Sequence, residues 1–300
     1  MIRLAVRVER SSAELVLAEL LELAPGGVEE VEHDSHVEYA LYGAPGELPS
    51  LPALKAAALA GGALVDITTS EVADDWSERW RSFHRPVVVA PPSSADSARA
   101  VPSIPAVRVR PPWEPADAPG VDVMEVVIDP AQAFGTGGHA TTRLCLQLLL
   151  ELAGERPPAG PLLDVGCGSG VLAIVAAKLG YEPVVAFDHD PLSVQATSEN
   201  AAVNGVELDV READLRAGAL PLGGDRGSGE PVVVCNLLRG LLLELAGVLE
   251  EPPPQLIASG LLEGEGDEVA GAFAAALGMR TRRTAASGGW EALWLEGPDG

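Results

Sequence analysis

Lysine is nearly absent from this sequence, and positive charge is scarce overall. Lys55 and Lys178 are the only lysines, and 44 acidic residues outnumber 20 lysines and arginines to give a formal net charge of −24. Binding to free nucleic acid depends on cationic contacts with phosphate. The charge therefore argues against a direct nucleic-acid partner and favours a basic protein as partner.

Long apolar runs and paired cysteines are also missing. No apolar run approaches the ~18–20 residues of a membrane span, and the first residues, MIRLAVRVERSSAE, lack the apolar core of a signal peptide. We therefore expect no membrane association and a cytoplasmic location. Cys145, Cys167 and Cys235 are odd in number and scattered, which predicts neither a disulfide framework nor a metal site.

The length of 300 residues suggests two domains. Residues 2–9 alternate apolar and charged side chains as a half-buried strand does, and Ser11 with Glu14 forms a capping box for a helix that ends before Pro25. A hairpin over residues 28–32 and 36–41, a helix over 51–59 and a strand over 64–69 follow. This βαββαβ order predicts a small ferredoxin-like α+β domain over residues 1–70, and we expect it to recognise the substrate.

A linker and a larger α/β domain are predicted to follow. Residues 74–83 have the pattern of a short amphipathic helix, and residues 90–105 are rich in Pro, Ser and Ala. We therefore place a linker over residues 71–106 and the second domain over residues 107–300.

The second domain is organised around residues 162–190, LLDVGCGSGVLAIVAAKLGYEPVVAFDHD. Two short apolar strands, 162–165 and 184–187, flank a glycine-rich turn and an apolar helix over 171–179. This pattern is typical of a βαβ unit with parallel strands and a right-handed crossover. Ligands of such sheets bind at the carboxyl ends of the strands, which is where the turn and Asp188 are expected.

The spacing of the glycines discriminates between cofactors. Dinucleotide folds use G-x-G-x-x-G to hold a pyrophosphate at a helix start, whereas this chain has Asp164-x-Gly166-x-Gly168-x-Gly170. An acid just before the turn repels phosphate but suits the cationic amine of S-adenosylmethionine. Asp188, at the end of the next strand, is placed to accept hydrogen bonds from two ribose hydroxyls. The stretch resembles the class I S-adenosylmethionine-dependent methyltransferases.

Further polar residues are predicted at the same edge of the sheet. Residues 129–142, DPAQAFGTGGHATT, form a glycine-rich loop before a helix over 143–152, which Thr141 and Thr142 can cap. Asp214 follows the third strand, 206–211, and is a candidate partner of the adenine amino group. The fourth strand, 231–235, ends at Asn236, the best-placed polar group for orienting an acceptor amine, and His139 is a candidate for carrying its proton away.

A family resemblance extends over most of the chain. The phrases DPAQAFGTGGHATTRLCL, LLDVGCGSGVLAI, AFDHDPLSVQATSENAAVNGV, VVVCNLLRG and ASGLLEGEGDEV occur in order, and together they resemble the bacterial ribosomal protein L11 methyltransferases. The resemblance implies a Rossmann-like, seven-stranded class I methyltransferase sheet whose last strand is antiparallel, preceded by a small substrate-binding domain. It also implies methylation of lysine side chains and the N-terminal amine of free ribosomal protein L11.

The resemblance also assigns site residues. It implies cofactor contacts from Thr142, Gly166, Asp188 and Asn236. The pattern of residues around the glycine turn further predicts contacts from Asp164, Gly168 and Asp214. Asn236 and His139 are the catalytic candidates, and no metal is expected.

Other functions remain open from the sequence. Methyltransferases of glutamine amides or nucleobases typically carry Asn-Pro-Pro-Tyr after the fourth strand. In this chain Leu237, Leu238 and Arg239 follow Asn236, and they offer no aromatic ring. A different protein or a small-molecule amine as methyl acceptor is an alternative, as is a homologue that binds the cofactor without catalysis. A dehydrogenase is least compatible because the G-x-G-x-x-G pattern is missing.

Overall fold

The chain folds into two compact units, residues Met1–Phe83 and His84–Gly300. The structure is a computed structural model that describes residues 2–10, 13, 16–17, 20, 28–33, 36–43, 64–71, 84–91, 104–116, 123–130, 137–217 and 230–298. The predicted helices over 51–59 and 74–83, most of the loop over 90–105 and the middle of the loop over 129–142 lie outside these residues. The proposed domain boundaries at residues 70 and 106 stay predictions.

The first unit contains a four-stranded antiparallel sheet. Its strands are β1 (Ile2–Glu9), β2 (Glu29–Glu32), β3 (His36–Gly43) and β4 (Leu64–Glu71), in the order β2-β3-β1-β4. The alternation of β1 buries Leu4, Val6 and Val8 against the helical residues Val16 and Leu20. On its opposite face, Arg3 and Arg7 both bind the carboxylate of Glu38 on β3. The sequence predicts four strands in this part of the chain, and the ferredoxin-like assignment stays a prediction.

The second unit is built on a mixed seven-stranded sheet in the order β10-β9-β8-β11-β12-β14-β13. Its strands are β8 (Leu162–Val165), β9 (Val184–Asp188), β10 (Asp209–Glu212), β11 (Val232–Asn236), β12 (Gln255–Leu262), β13 (Arg280–Ser287) and β14 (Trp290–Glu296). The five neighbouring strands β10, β9, β8, β11 and β12 are parallel to one another. β14 is antiparallel to both β12 and β13. This is the α/β class that the sequence predicts.

Helices cover both faces of this sheet. They are α1 (Ala140–Glu155), α2 (Val171–Leu179), α3 (Pro191–Asn204), α4 (Arg239–Val248) and α5 (Gly266–Leu277). One apolar cluster joins α1 and α2 to the sheet, and a second joins α4 and α5 to its other face. Because the apolar residues of α2 point in all directions, this helix is buried as the sequence predicts. No helix in the described ranges has the length and apolarity needed to cross a membrane.

A separate three-stranded sheet packs on the first of these clusters. It consists of β5 (Val87–Val89), β6 (Ala106–Arg110) and β7 (Val123–Val127), with β6 antiparallel to β5 and parallel to β7. Val107, Val109 and Val126 are buried in the same cluster as α1 and α2. The chain leaves β7 at Ile128 and Asp129, so this small sheet fixes where the glycine-rich loop begins.

Several element boundaries differ from the sequence-based expectation, which ends β12 at residue 259, and three of these differences have a local cause. β10 covers Asp209–Glu212 rather than 206–211, because Gly205 ends α3 in the left-handed region and the Val206 amide still donates to Ala201 of that helix. β12 continues to Leu262 through an irregularity at Gly260. α1 begins at Ala140 rather than 143, because His139 caps it.

At Gly260 the backbone leaves no room for a side chain. It has φ +93°, and a Cβ at this position would lie 2.2 Å from the carbonyl oxygen of Leu237. The Leu237 amide donates to Ser259 at 2.9 Å, so this close approach holds the chain where it leaves β11.

We predict that Gly260→Ala destabilises the second unit by about 2–3 kcal/mol, through backbone strain and a steric clash. Gly271→Ala is the matched control, since Gly271 lies inside α5 with no atom within 4 Å of the added Cβ. The control is expected to stabilise by about 0.5–1 kcal/mol. Calorimetric unfolding measures both effects, and equal midpoints for the two variants would contradict the prediction.

Candidate active site

The glycine turn lies between β8 and α2 at the carboxyl edge of the large sheet. Gly166, Gly168 and Gly170 have φ values of +74°, +53° and +81°. A Cβ on Gly166 would lie 2.5 Å from Leu237 Cδ2, and one on Gly170 would lie 2.8 Å from Thr197 Cγ2. The left-handed backbone favours glycine at all three positions, and Gly166 and Gly170 also have close side-chain neighbours.

The turn is fastened to the end of β9. The carbonyl oxygen of Phe187 accepts hydrogen bonds from the amides of Gly166 at 2.9 Å and Cys167 at 3.1 Å. Asp188 continues this attachment, because its Oδ2 accepts from the Gly168 amide and its Oδ1 from the Asp190 amide, each at 3.0 Å. Oδ1 also lies 3.2 Å from Nδ1 of His189, whereas Oδ2 has a second lone pair. The structure thus places Asp188 against the turn, and its ribose-binding role stays a prediction.

Asp164 lies beneath the turn and is fully buried. Its Oδ2 accepts a hydrogen bond from the Ala173 amide at 3.1 Å, whereas its Oδ1 has no hydrogen-bond partner among the described residues. Burial raises the pKa of this carboxyl to about 7, the Ala173 bond lowers it in part, and the charge of Asp188 adds to the increase. Because no part of Asp164 is exposed, its predicted part in cofactor binding is limited to its charge and to the turn that it supports.

Asn236 and Thr142 meet at the same edge, although they are 94 residues apart in sequence. Asn236 is the last residue of β11, the central strand beside β8, and Thr142 is buried in the first turn of α1. The Asn236 Nδ2 donates a hydrogen bond to Thr142 Oγ1 at 3.3 Å. Two residues that the sequence singled out separately therefore form a pair, and the bond fixes which way the Asn236 amide faces.

His139 is the N-cap of α1, which corrects the expectation that Thr141 and Thr142 cap this helix. Its Nδ1 accepts from the Thr141 amide at 3.4 Å and lies 2.7 Å from Thr141 Oγ1. Both threonines are instead buried inside the first turn, which is why the helix begins earlier than predicted.

The His139 ring is also held from the side. It packs edge-to-face on Trp290, at 4.8 Å between ring centroids. Its burial and the charge of Arg143 lower its pKa, so the imidazole is neutral at pH 7. Nδ1 is engaged with Thr141, and the role of His139 in proton transfer stays a prediction.

Asp214 lies just beyond β10 with its side chain exposed. Its Oδ1 accepts from the Arg216 amide at 2.8 Å and so starts a short 3-10 turn over Leu215–Ala217. The neighbouring Ala213 amide donates to the Asp188 carbonyl at 2.9 Å, which places Asp214 on the β9 side of the glycine turn. Its suggested contact with adenine stays a prediction.

Sequence reasoning missed a set of polar residues on α3. Thr197 and Asn200 are buried, and both donate hydrogen bonds to carbonyl oxygens of the glycine turn. Their spacing of three, followed by Asn204 four residues later, places all three on one face of the helix. The signal available in the sequence was this polar stripe on one face of a helix.

The sequence of this chain is similar to those of known proteins. The sequence profile of the family described as Ribosomal protein L11 methyltransferase (PrmA) matches residues 5–297. A ribosomal protein L11 methyltransferase of Ralstonia pickettii is 34% identical over 96% of both chains. One from Bordetella parapertussis is 45% identical over 57% of this chain, and that match spans about half of the relative, 52%.

A solved structure supports the same assignment. A ribosomal protein L11 methylase from Lactobacillus delbrueckii subsp. bulgaricus superposes with a TM-score of 0.54 at 29% identity, over 64% of this chain and 94% of that one. The profile match covers both compact units and the whole of the site described above. The chain therefore belongs to the ribosomal protein L11 methyltransferase family.

Proposed function

We propose that this protein is an S-adenosylmethionine-dependent methyltransferase whose acceptors are lysine side-chain and N-terminal amines of ribosomal protein L11. The observation that carries the proposal is the meeting of the glycine turn, its buried acid and the Asn236–Thr142 pair at one edge of the sheet. The names of the relatives supply the identity of the substrate.

The residues around the turn fit S-adenosylmethionine better than a phosphorylated cofactor. Two carboxylates, Asp164 and Asp188, lie below and beside the turn, and one oxygen of Asp164 has no partner among the described residues. Negative charge in this position attracts the cationic amine and sulfonium of the ligand and repels a pyrophosphate. Gly166 and Gly168 allow the backbone to approach the ligand closely, with Thr142 and Asp214 on either side.

The chemistry follows from what these residues leave available. Bound S-adenosylmethionine supplies a methyl group on a positively charged sulfur. Deprotonating a free lysine at pH 7 costs about 4–5 kcal/mol, so the acceptor amine has to be neutralised and aimed. Because Nδ2 of Asn236 is directed to Thr142, its Oδ1 is the group that can accept a hydrogen bond from the amine and align the lone pair.

Two leucines follow Asn236 in the chain. Leu237 is half-buried and packs against Gly166, and Leu238 is exposed. These aliphatic side chains can contact the methylene stem of a lysine, and they provide no ring on which a planar amide or base can stack. We propose that His139 helps to carry the released proton away while its Nδ1 keeps α1 capped.

The proposed function is tested by intact-mass analysis of purified ribosomal protein L11 after incubation with this protein and S-adenosylmethionine. We expect mass increments of single methyl groups on free L11, smaller increments on assembled ribosomes, and none on an unrelated lysine-rich protein. Fragmentation of the product then locates the modified amines. No increments on L11, despite measurable cofactor binding, would contradict the proposed substrate but keep the proposed cofactor.

The Asn236–Thr142 hydrogen bond yields a quantitative prediction. We expect Asn236→Ala to lower kcat for L11 methylation by about 100-fold, since it removes the group that orients the amine. Thr142→Val, which keeps the shape but loses the acceptor hydroxyl, is expected to lower kcat by about tenfold because the Asn236 amide can then rotate.

A double-mutant cycle checks that the two residues act together. The double variant is expected to be no slower than Asn236→Ala alone, since the bond is already lost. Multiplicative effects of the two substitutions would show that Thr142 contributes independently of Asn236.

The raised pKa of Asp164 predicts how cofactor binding depends on pH. A cationic ligand favours the carboxylate, so below a pKa of about 7 binding has to release a proton. We expect the Kd for S-adenosylmethionine to rise as pH falls from 7.5 to 5.5, by at most about tenfold per pH unit. Asp164→Asn is expected to flatten this dependence, and calorimetry in buffers of different ionisation enthalpy counts the released protons. A wild-type Kd that is constant over this range would contradict the prediction.

A further inference from the structure

One face of α3 carries polar side chains that are buried rather than solvated. Thr197 is 0% exposed and Asn200 is 3% exposed, and Asn204 is partly buried one turn further on. Thr and Asn are poor helix formers, and burial of their polar groups costs free energy unless each is hydrogen-bonded. Their presence here therefore depends on the partners that they find outside the helix.

Two of these side chains hold the glycine turn from below. Thr197 Oγ1 donates to the carbonyl oxygen of Gly168 at 2.9 Å, and Asn200 Nδ2 donates to that of Ser169 at 2.9 Å. The turn is already held at its amides by Phe187 and Asp188 of β9. Its backbone is thus fixed on both its donor and its acceptor side.

The same Asn200 amide also holds a second segment. Its Oδ1 accepts a hydrogen bond from the Asp129 amide at 3.0 Å, across 71 residues of sequence. Asp129 is where the chain leaves β7, and the segment continues to His139 and Thr142 at the start of α1. The side-chain amide of Asn200 therefore joins the glycine turn to Asp129, where the segment that leads to His139 and Thr142 begins.

We propose that Asn200 is a positioning residue that sets the glycine turn and the Asp129 segment in register for methyl transfer. The inference rests on the proposed function, because it assigns a role within that site. Asparagine suits the task because its donor and acceptor are rigidly coplanar and a short side chain reaches both targets. Aspartate retains the acceptor but loses the donor, and alanine loses both.

Asn204 provides a matched control on the same helix. Its Oδ1 accepts from the Val127 amide at 2.9 Å, and its Nδ2 donates to the Val127 carbonyl at 2.7 Å and the Asn200 carbonyl at 2.8 Å. It thus attaches α3 to β7 without touching the glycine turn. If this face of α3 has only a structural role, substitutions of Asn200 and Asn204 should have similar effects on cofactor binding and on stability.

The experiment compares Asn200→Ala, Asn200→Asp and Asn204→Ala in the full chain. Calorimetric titration gives the Kd for S-adenosylmethionine, steady-state assays with L11 give kcat and KM, and thermal unfolding gives the stability of each variant. We expect Asn200→Ala to raise the cofactor Kd about tenfold and to lower kcat at saturating cofactor about tenfold, because both segments lose register. Asn204→Ala is expected to lower the unfolding midpoint but to keep the Kd within about twofold of the unmodified chain.

The isosteric variant Asn200→Asp separates the contact with Ser169 from the contact with Asp129. It also serves in place of Asn200→Ala if the alanine variant does not fold. Asn200→Asp keeps the acceptor for Asp129 and loses the donor to Ser169, so we expect most of the increase in Kd and a smaller loss of kcat. Equal Kd values for the Asn200 and Asn204 variants at comparable stability would overturn the proposal while the proposed function stands. Failure of the unmodified chain to bind S-adenosylmethionine would overturn both.

Discussion

The left-handed glycine turn between β8 and α2 is the constraint on which the site depends. Three glycines within five residues adopt positive φ values, and at Gly166 and Gly170 a side chain would collide with Leu237 or Thr197. Hydrogen bonds from β9 and α3 hold this conformation from two sides. Its position then determines where the buried carboxylate of Asp164 lies and where Asn236, on the neighbouring strand, meets Thr142. The remainder of the second unit brings these segments to one edge of one sheet.

Local patterns in the sequence predicted the elements around this turn well. The predicted bounds 171–179 agree with α2, because Gly180 ends this helix in the left-handed conformation. The α/β class and the parallel order of the central strands also follow from that βαβ pattern. Asn236 and Thr142 were singled out correctly as residues of one region, since each follows or begins an element at the carboxyl edge.

Features that depend on long-range packing were not predictable in the same way. The cap of α1 was assigned to threonines because they favour that position, yet burial against the sheet draws both into the first turn and leaves the cap to His139. The attachment of Asn200 to Asp129 required knowing that β7 of a separate small sheet lies beside α3. The raised pKa of Asp164 likewise comes from complete burial, which no local pattern of residues specifies.

The central claim is that a glycine turn over a buried acid selects a cationic methyl donor rather than a phosphorylated cofactor. Parallel calorimetric titrations of the unmodified chain with S-adenosylmethionine and with NAD⁺ test it most directly. The account predicts saturable, micromolar binding of S-adenosylmethionine and no measurable binding of NAD⁺. Binding of NAD⁺ with similar affinity, or no binding of S-adenosylmethionine, would contradict it.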